Sequence, residues 1–174
     1  MGPDVIFDYL VSKFIESDQL NESDLSTELL TKIENYKALD IGNAAPNLPL
    51  NTNVSLYDVL KTNEMSVLFF WTSQCHFCHQ QLEDLKDLYQ KHDGAIEFIA
   101  YSLDTREDEW QQAIDSKSLN WRNYSDLKGW KSEFATKFRV NKTPSYFILD
   151  HEGTIIAKPN SAVETSTIIQ DLTR

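Results

Sequence analysis

Two cysteines, Cys75 and Cys78, are the only residues in this chain whose type and spacing announce chemistry. They stand in Cys75-His76-Phe77-Cys78-His79, directly after the apolar run Val67-Leu68-Phe69-Phe70-Trp71 and the short link Thr72-Ser73-Gln74. An apolar run of this length, rich in aromatics and bounded by polar residues, reads as a buried strand. After Cys78 the periodicity changes: Leu82, Leu85, Leu88 and Tyr89 recur at three- and four-residue intervals, which predicts an amphipathic helix. Cys75 then sits at a helix N-terminus. Unpaired backbone N–H groups and the positive end of the helix dipole favour an anion there, and a thiolate is the anion available. A second thiol one turn further on can close a disulfide with the first, so the stretch predicts a two-electron thiol/disulfide pair.

Competing chemistries use the same residues. Cys75-His76-Phe77-Cys78-His79 is also a Cys-x-x-Cys-His pattern, the attachment motif of c-type haem. That reading needs His79 free to bind iron and a second, distant ligand; Met65 precedes the strand and His92 falls on the same helix, and a strand-to-helix junction offers no evident haem crevice. A zinc site built from the two cysteines with His76 and His79 fails on geometry, because two histidines within one turn cannot converge tetrahedrally with both sulfurs. The expectation is therefore no metal and no cofactor.

Trp71-Thr72-Ser73-Gln74-Cys75-His76-Phe77-Cys78, placed between an apolar strand and a helix, resembles a thioredoxin-family active site. Ile96-Glu97-Phe98-Ile99-Ala100-Tyr101-Ser102-Leu103-Asp104 is similar to the second central strand of the extracytoplasmic thiol-disulfide oxidoreductases, the branch related to cytochrome-maturation thioredoxins and, more distantly, to peroxiredoxins. Thr143-Pro144, followed by Ser145-Tyr146-Phe147-Ile148-Leu149-Asp150 and Glu152-Gly153, resembles that family's cis-proline, strand and hairpin turn. The resemblance implies an α/β fold with a central mixed sheet, a nucleophilic Cys75, a resolving Cys78, and partners that are protein thiols or disulfides, a redox partner protein among them. It also implies that Trp71, His76, Phe77, Thr143 and Pro144 modulate the pair or contact substrate, and that the protein works in the periplasm or elsewhere outside the cytoplasm. Each modulating residue has a plainer reading: Trp71 as core, His76 as an exposed helix-start residue, Pro144 as an ordinary loop proline. A non-catalytic thioredoxin-like interaction module is the alternative for the whole domain.

Two positions depart from the family pattern. Thioredoxins proper carry a buried Asp two residues before the Trp, where this chain has Phe69, and the cytochrome-maturation relatives often have Glu three residues after the second cysteine, where it has Gln81. The acceptor for the Cys78 proton is then to be sought in water, His76, His79, Glu83 or Asp84.

The remaining sequence supplies the frame. Its 174 residues and net charge of −11 suit one domain with an appendage, and an acidic surface argues against nucleic acid and against an anionic membrane face. No apolar run of about eighteen residues is present to span a bilayer. Met1-Gly2-Pro3-Asp4 does not read as a secretion signal; as a junction on a fragment, it would leave any signal or membrane anchor in upstream sequence. Helices are expected at Val5 to Phe14 and at about Ser23 to Leu39, either packing on the domain behind them or ending a larger upstream module. Gly, Asn and Pro punctuate Ile41 to Asn47, placing a boundary between an N-terminal helical extension, residues 1–40, and the thioredoxin-like domain, residues 41–174. Further expectations are a strand near Leu48 to Leu50, helices at Ser55 to Leu60, Arg106 to Ser116 (capped by Asp104 or Thr105), Trp130 to Phe138 and Ala162 to Leu172, and strands at Trp121 to Tyr124, Tyr146 to Leu149 and Thr154 to Ala157.

Overall fold

A computed structural model describes residues 37–92 and 94–174. The two expected N-terminal helices lie almost wholly outside these residues. Ile41–Arg174 forms a compact unit. It runs α1 (Leu56–Leu60), β1 (Met65–Trp71), α2 (His76–His92), β2 (Ile96–Ser102), α3 (Glu107–Lys117), β3 (Arg122–Tyr124), a 3-10 turn (Gly129–Lys131), α4 (Glu133–Lys137), β4 (Ser145–Asp150), β5 (Ile155–Ala157) and α5 (Ala162–Leu172).

The sheet has five strands in the order β3-β2-β1-β4-β5, with β1 at its centre. β1 pairs in parallel with β2 and antiparallel with β4; β2 and β3 are parallel, and β4 and β5 form the closing hairpin. A strand covered on both faces reads as an unbroken apolar run, and β1 is buried from Ser66 through Trp71. Its side chains alternate. Val67, Phe69 and Trp71 enter the cluster closed by Leu82, Leu85 and Leu88 of α2 and Ala162 and Ile169 of α5. On the other face, Phe70 contacts the rings of Tyr101, Phe138 and Phe147, and Tyr101 stacks on Phe134 at 4.1 Å. Phe69, at the position where thioredoxins proper carry an acid, meets Trp121 edge-on and lies against Tyr146, so aromatic rings pack there in place of a carboxylate.

Several boundaries differ from those expected, each for a local reason. No strand forms at Leu48 to Leu50: only Pro49 bridges, to Ser55, because proline has no N–H to offer a ladder. The helix expected over Trp130 to Phe138 is broken at Ser132, whose extended backbone (ψ 141°) lets its hydroxyl accept from the Phe134 N–H and start α4 afresh. α3 begins at Glu107 with Arg106 as N-cap and no side-chain capping bond, so neither Asp104 nor Thr105 caps it. Asp104 is turned inward instead, with consequences for the site.

Candidate active site

The site lies where β1 ends. Leu103 N–H donates to the Trp71 carbonyl (2.9 Å), holding the two parallel strands together one residue past their last pair, and the chain then turns through Thr72, Ser73 and Gln74 into α2. Cys75 N–H donates to the Thr72 carbonyl (3.1 Å), and the His79 N–H donates to the Cys75 carbonyl (3.1 Å) as the first helical bond. Cys75 and Cys78 form a disulfide, with Cα atoms 5.2 Å apart. The two sulfurs are not equivalent. Cys78 is 2% exposed and belongs to the apolar cluster beneath the sheet, whereas Cys75 is half-buried at its edge. The Cys78 backbone N–H points at Cys75 Sγ from 3.0 Å. That is the free donor of a helix's first turn aimed at the sulfur that would carry charge after reduction.

The second wall comes from the loop before β4. The Thr143–Pro144 peptide bond is cis, Pro144 is buried, and the Thr143 carbonyl oxygen is 3.5 Å from Cys75 Sγ. Antiparallel pairing of Ser145 with Phe70 is what brings Thr143 to this end of β1. The residues expected to surround the sulfurs divide by exposure. Phe77 is 66% exposed and His76 is exposed beside it, its ring edge-on to Phe77 and its Nε2 3.1 Å from Gln80 Nε2. Trp71 is fully buried; contact with a partner molecule is closed to it, and what remains is to floor the site from within the same cluster as Cys78.

A group that the sequence offered only as a helix cap supports the loop before Cys75. The Asp104 carboxylate, 6% exposed, accepts from Ser73 N–H (2.9 Å), Ser73 Oγ (2.7 Å) and Ser102 Oγ (2.6 Å), while Asp104 N–H donates back to Ser102 Oγ (2.9 Å). The Ser73 carbonyl accepts from His79 Nε2 at 2.7 Å, which requires that nitrogen to carry a proton. A chain of bonds thus runs from the end of β2 through Ser73 to the first turn of α2. The available signal was Ser102-x-Asp104 closing an apolar strand, but capping competed for the same acid.

The acids and bases proposed to serve Cys78 are placed differently. His79 is tied to Ser73, Glu83 pairs with Lys86 at 2.9 Å, and Asp84 is exposed. Gln81 Oε1 accepts from Tyr146 O–H (2.9 Å) and Ala162 N–H (2.8 Å), joining α2, β4 and the start of α5 through a neutral amide. Burial, with the nearby Asp84 charge adding to it, raises the Tyr146 pKa far above the ordinary phenol value, so its O–H stays a donor. Among the described residues no three His, Cys, Asp or Glu side chains come together as a group able to hold a metal ion.

Residues 63–155 match a family model described as thioredoxin-like. The chain belongs to the thioredoxin-like family. A domain described as a possible thiol-disulfide isomerase from Cytophaga hutchinsonii is 30% identical, with 78% of this chain and 94% of that one covered at a TM-score of 0.67. A thiol-disulfide oxidoreductase from Bacteroides fragilis shares the fold, with a TM-score of 0.68 at 24% identity over 75% of this chain and 99% of that one. Among curated proteins, the chain is similar to the sporulation thiol-disulfide oxidoreductase A of Bacillus subtilis, 24% identical over 93 residues that make up 53% of this chain and 56% of that relative. The chain therefore spans about half the length of that relative.

Proposed function

We propose that this domain is a thiol-disulfide oxidoreductase that exchanges disulfides with protein partners through Cys75 and Cys78. The observation that carries the reading is the asymmetry of the pair: a half-buried Cys75 receives the Cys78 backbone N–H at 3.0 Å, above a Cys78 that is 2% exposed. In the reduced protein the Cys75 thiolate attacks a partner disulfide, forming a mixed disulfide and releasing one partner thiolate. The Cys78 thiolate then attacks Cys75 Sγ, restoring the internal disulfide and releasing the second thiolate. Two electrons pass from the Cys75–Cys78 dithiol to the partner. Run backwards, a partner dithiol reduces the internal disulfide and is itself oxidised.

The surrounding residues take roles that their positions allow. Backbone at Thr143 pairs with an extended partner segment beside Cys75, with Pro144 fixing that loop; Phe77, exposed, supplies apolar contact; His76, when protonated, favours the neighbouring thiolate. Trp71 keeps water from the resolving sulfur from below. The resemblance to the extracytoplasmic branch of the family supports work outside the cytoplasm, in the periplasm or on the outer face of a membrane.

Trapping tests the assignment. Cys78→Ser should accumulate a mixed disulfide between Cys75 and a disulfide substrate, visible as a stable mass adduct, and Cys75→Ser should form none and abolish insulin reduction. A Cys75→Ser protein with undiminished turnover would end the proposal, and an adduct on Cys78 in that variant would reverse the two roles.

A further inference from the structure

The charge around the site is distributed against the trend of the chain. Net charge is −11, yet residues 128–142 carry Lys128, Lys131, Lys137, Arg139 and Lys142 against the single acid Glu133. This segment borders the site. At its start, the 3-10 turn packs on the end of β2, where a Cβ at Gly129 would lie 2.9 Å from the Thr105 methyl and 3.5 Å from the Leu103 carbonyl oxygen. In its middle, Phe138 packs on Phe70 of β1. At its end, Lys142 immediately precedes Thr143, whose carbonyl touches Cys75 Sγ. Lys131, Lys137 and Lys142 are exposed, and among the described residues their ammonium groups make no ion pair. Directly before Lys131, Trp130 stands 51% exposed, a large apolar side chain on the surface as Phe77 is beside Cys78. The acidic start of α3, which Gln74 Nε2 reaches by donating to Glu109 at 3.3 Å, is partly neutralised: Arg106 pairs with Asp108 at 2.8 Å and with Glu109 at 3.0 Å.

We propose that the partner segment reaching Cys75 is acidic, and that it docks on the basic segment that carries Trp130, Lys131, Lys137 and Lys142. This rests on the redox reading of the same site and adds the chemistry of its substrate. Two fields compete for such a segment. The whole chain repels an acid at long range, while these lysines attract it at contact. Screening decides between them, because at about 0.1 M salt fields fade over about 10 Å, so the nearest charges govern docking. Complementary charge around a reactive site raises encounter rates by tenfold or more, and the exposed aromatics provide a contact that a purely ionic surface lacks.

Single-turnover reduction of synthetic peptides tests this. Each peptide carries one cysteine joined to 2-mercaptoethanol and flanked by two Glu, two Gln or two Lys residues. The reduced protein transfers two electrons to the peptide disulfide, releasing peptide thiol and 2-mercaptoethanol and forming the Cys75–Cys78 disulfide. At about 0.1 M salt the Glu-flanked peptide should react about tenfold faster than the Lys-flanked one, and at about 1 M salt, where fields fade within about 3 Å, the rates should converge. In the triple variant Lys131→Glu, Lys137→Glu, Lys142→Glu the order of the Glu- and Lys-flanked peptides should reverse. The Gln-flanked peptide separates the two claims: if it is not reduced at all, the redox reading fails. If it is reduced while the Glu-flanked peptide is no faster than the Lys-flanked one, or while the triple variant keeps the original order, the acidic-partner proposal is overturned and the redox reading stands.

Discussion

Replacing Asp104 by Ala should cost the fold far more than a surface acid would. Its carboxylate is 6% exposed and accepts three hydrogen bonds, from Ser73 N–H, Ser73 Oγ and Ser102 Oγ, at 2.9, 2.7 and 2.6 Å. A hydrogen bond to a charged group contributes about 1.5–3 kcal/mol net. Truncation leaves the three donors without their acceptor but opens room for water to replace part of the loss, so the low end applies and the total comes to about 4.5 kcal/mol. For a domain of this size that corresponds to a fall in Tm of roughly 12 °C. Asp104→Asn holds the shape while removing the charge and one acceptor oxygen, and should cost about half as much. Urea unfolding of the oxidised protein measures both, with the midpoint moving and the slope unchanged. The Ala variant should also alkylate faster at reduced Cys75, because Ser73 no longer fixes the loop before it. An Asp104→Ala midpoint within about 0.5 kcal/mol of the parent, the usual scatter of surface changes, would refute the claim that this buried acid anchors the active-site loop.

Other substitutions probe other parts of the frame. Gly153 has φ +90° and a Cβ there would run into the Tyr57 ring, itself held by its O–H donating to the Ala45 carbonyl at 2.8 Å; Gly153→Ala should therefore lose about 2 kcal/mol or more in thermal or urea unfolding. Removing the amide that joins α2, β4 and α5, by Gln81→Ala, leaves Tyr146 O–H and Ala162 N–H without their acceptor and should destabilise by about 2 kcal/mol in the same assay. Burial pushes the Tyr101 pKa up to about 12 from an ordinary 10.0, with a hydrogen bond between its O–H and Ser132 Oγ acting the other way. The unfolded chain then releases that proton at lower pH than the folded one, so this contribution to stability is whole below pH 10.0 and is lost as pH climbs towards about 12. Tyr101→Phe should flatten the alkaline fall in a pH series of urea midpoints.

What could be read from the sequence followed from strong local signals. The β1 run, the period of Leu82, Leu85 and Leu88, and the hairpin around Gly153 each state their structure within a dozen residues, and helix α5 occupies the expected Ala162–Leu172. Cysteine spacing placed both sulfurs, because one helical turn brings residues three apart to the same face. What escaped were matters of tertiary competition. Asp104 looked like a cap, but the buried hydroxyls of Ser73 and Ser102 bind it more completely than the first turn of α3 could. Ser132 looked helical until its hydroxyl found Phe134 N–H and Tyr101. His79 Nε2 holds the carbonyl of Ser73, six residues back, a bond only the turned loop creates.

The central claim concerns the Cys75 sulfur, and its titration tests that claim most directly. Thiolate absorbance at 240 nm, followed against pH in reduced protein with Cys78→Ala to leave one thiol, gives its pKa without a substrate. The helix N-terminus and the Cys78 backbone N–H at 3.0 Å predict a value well below the free-cysteine pKa of about 8.5. A midpoint at or above that value would contradict the account.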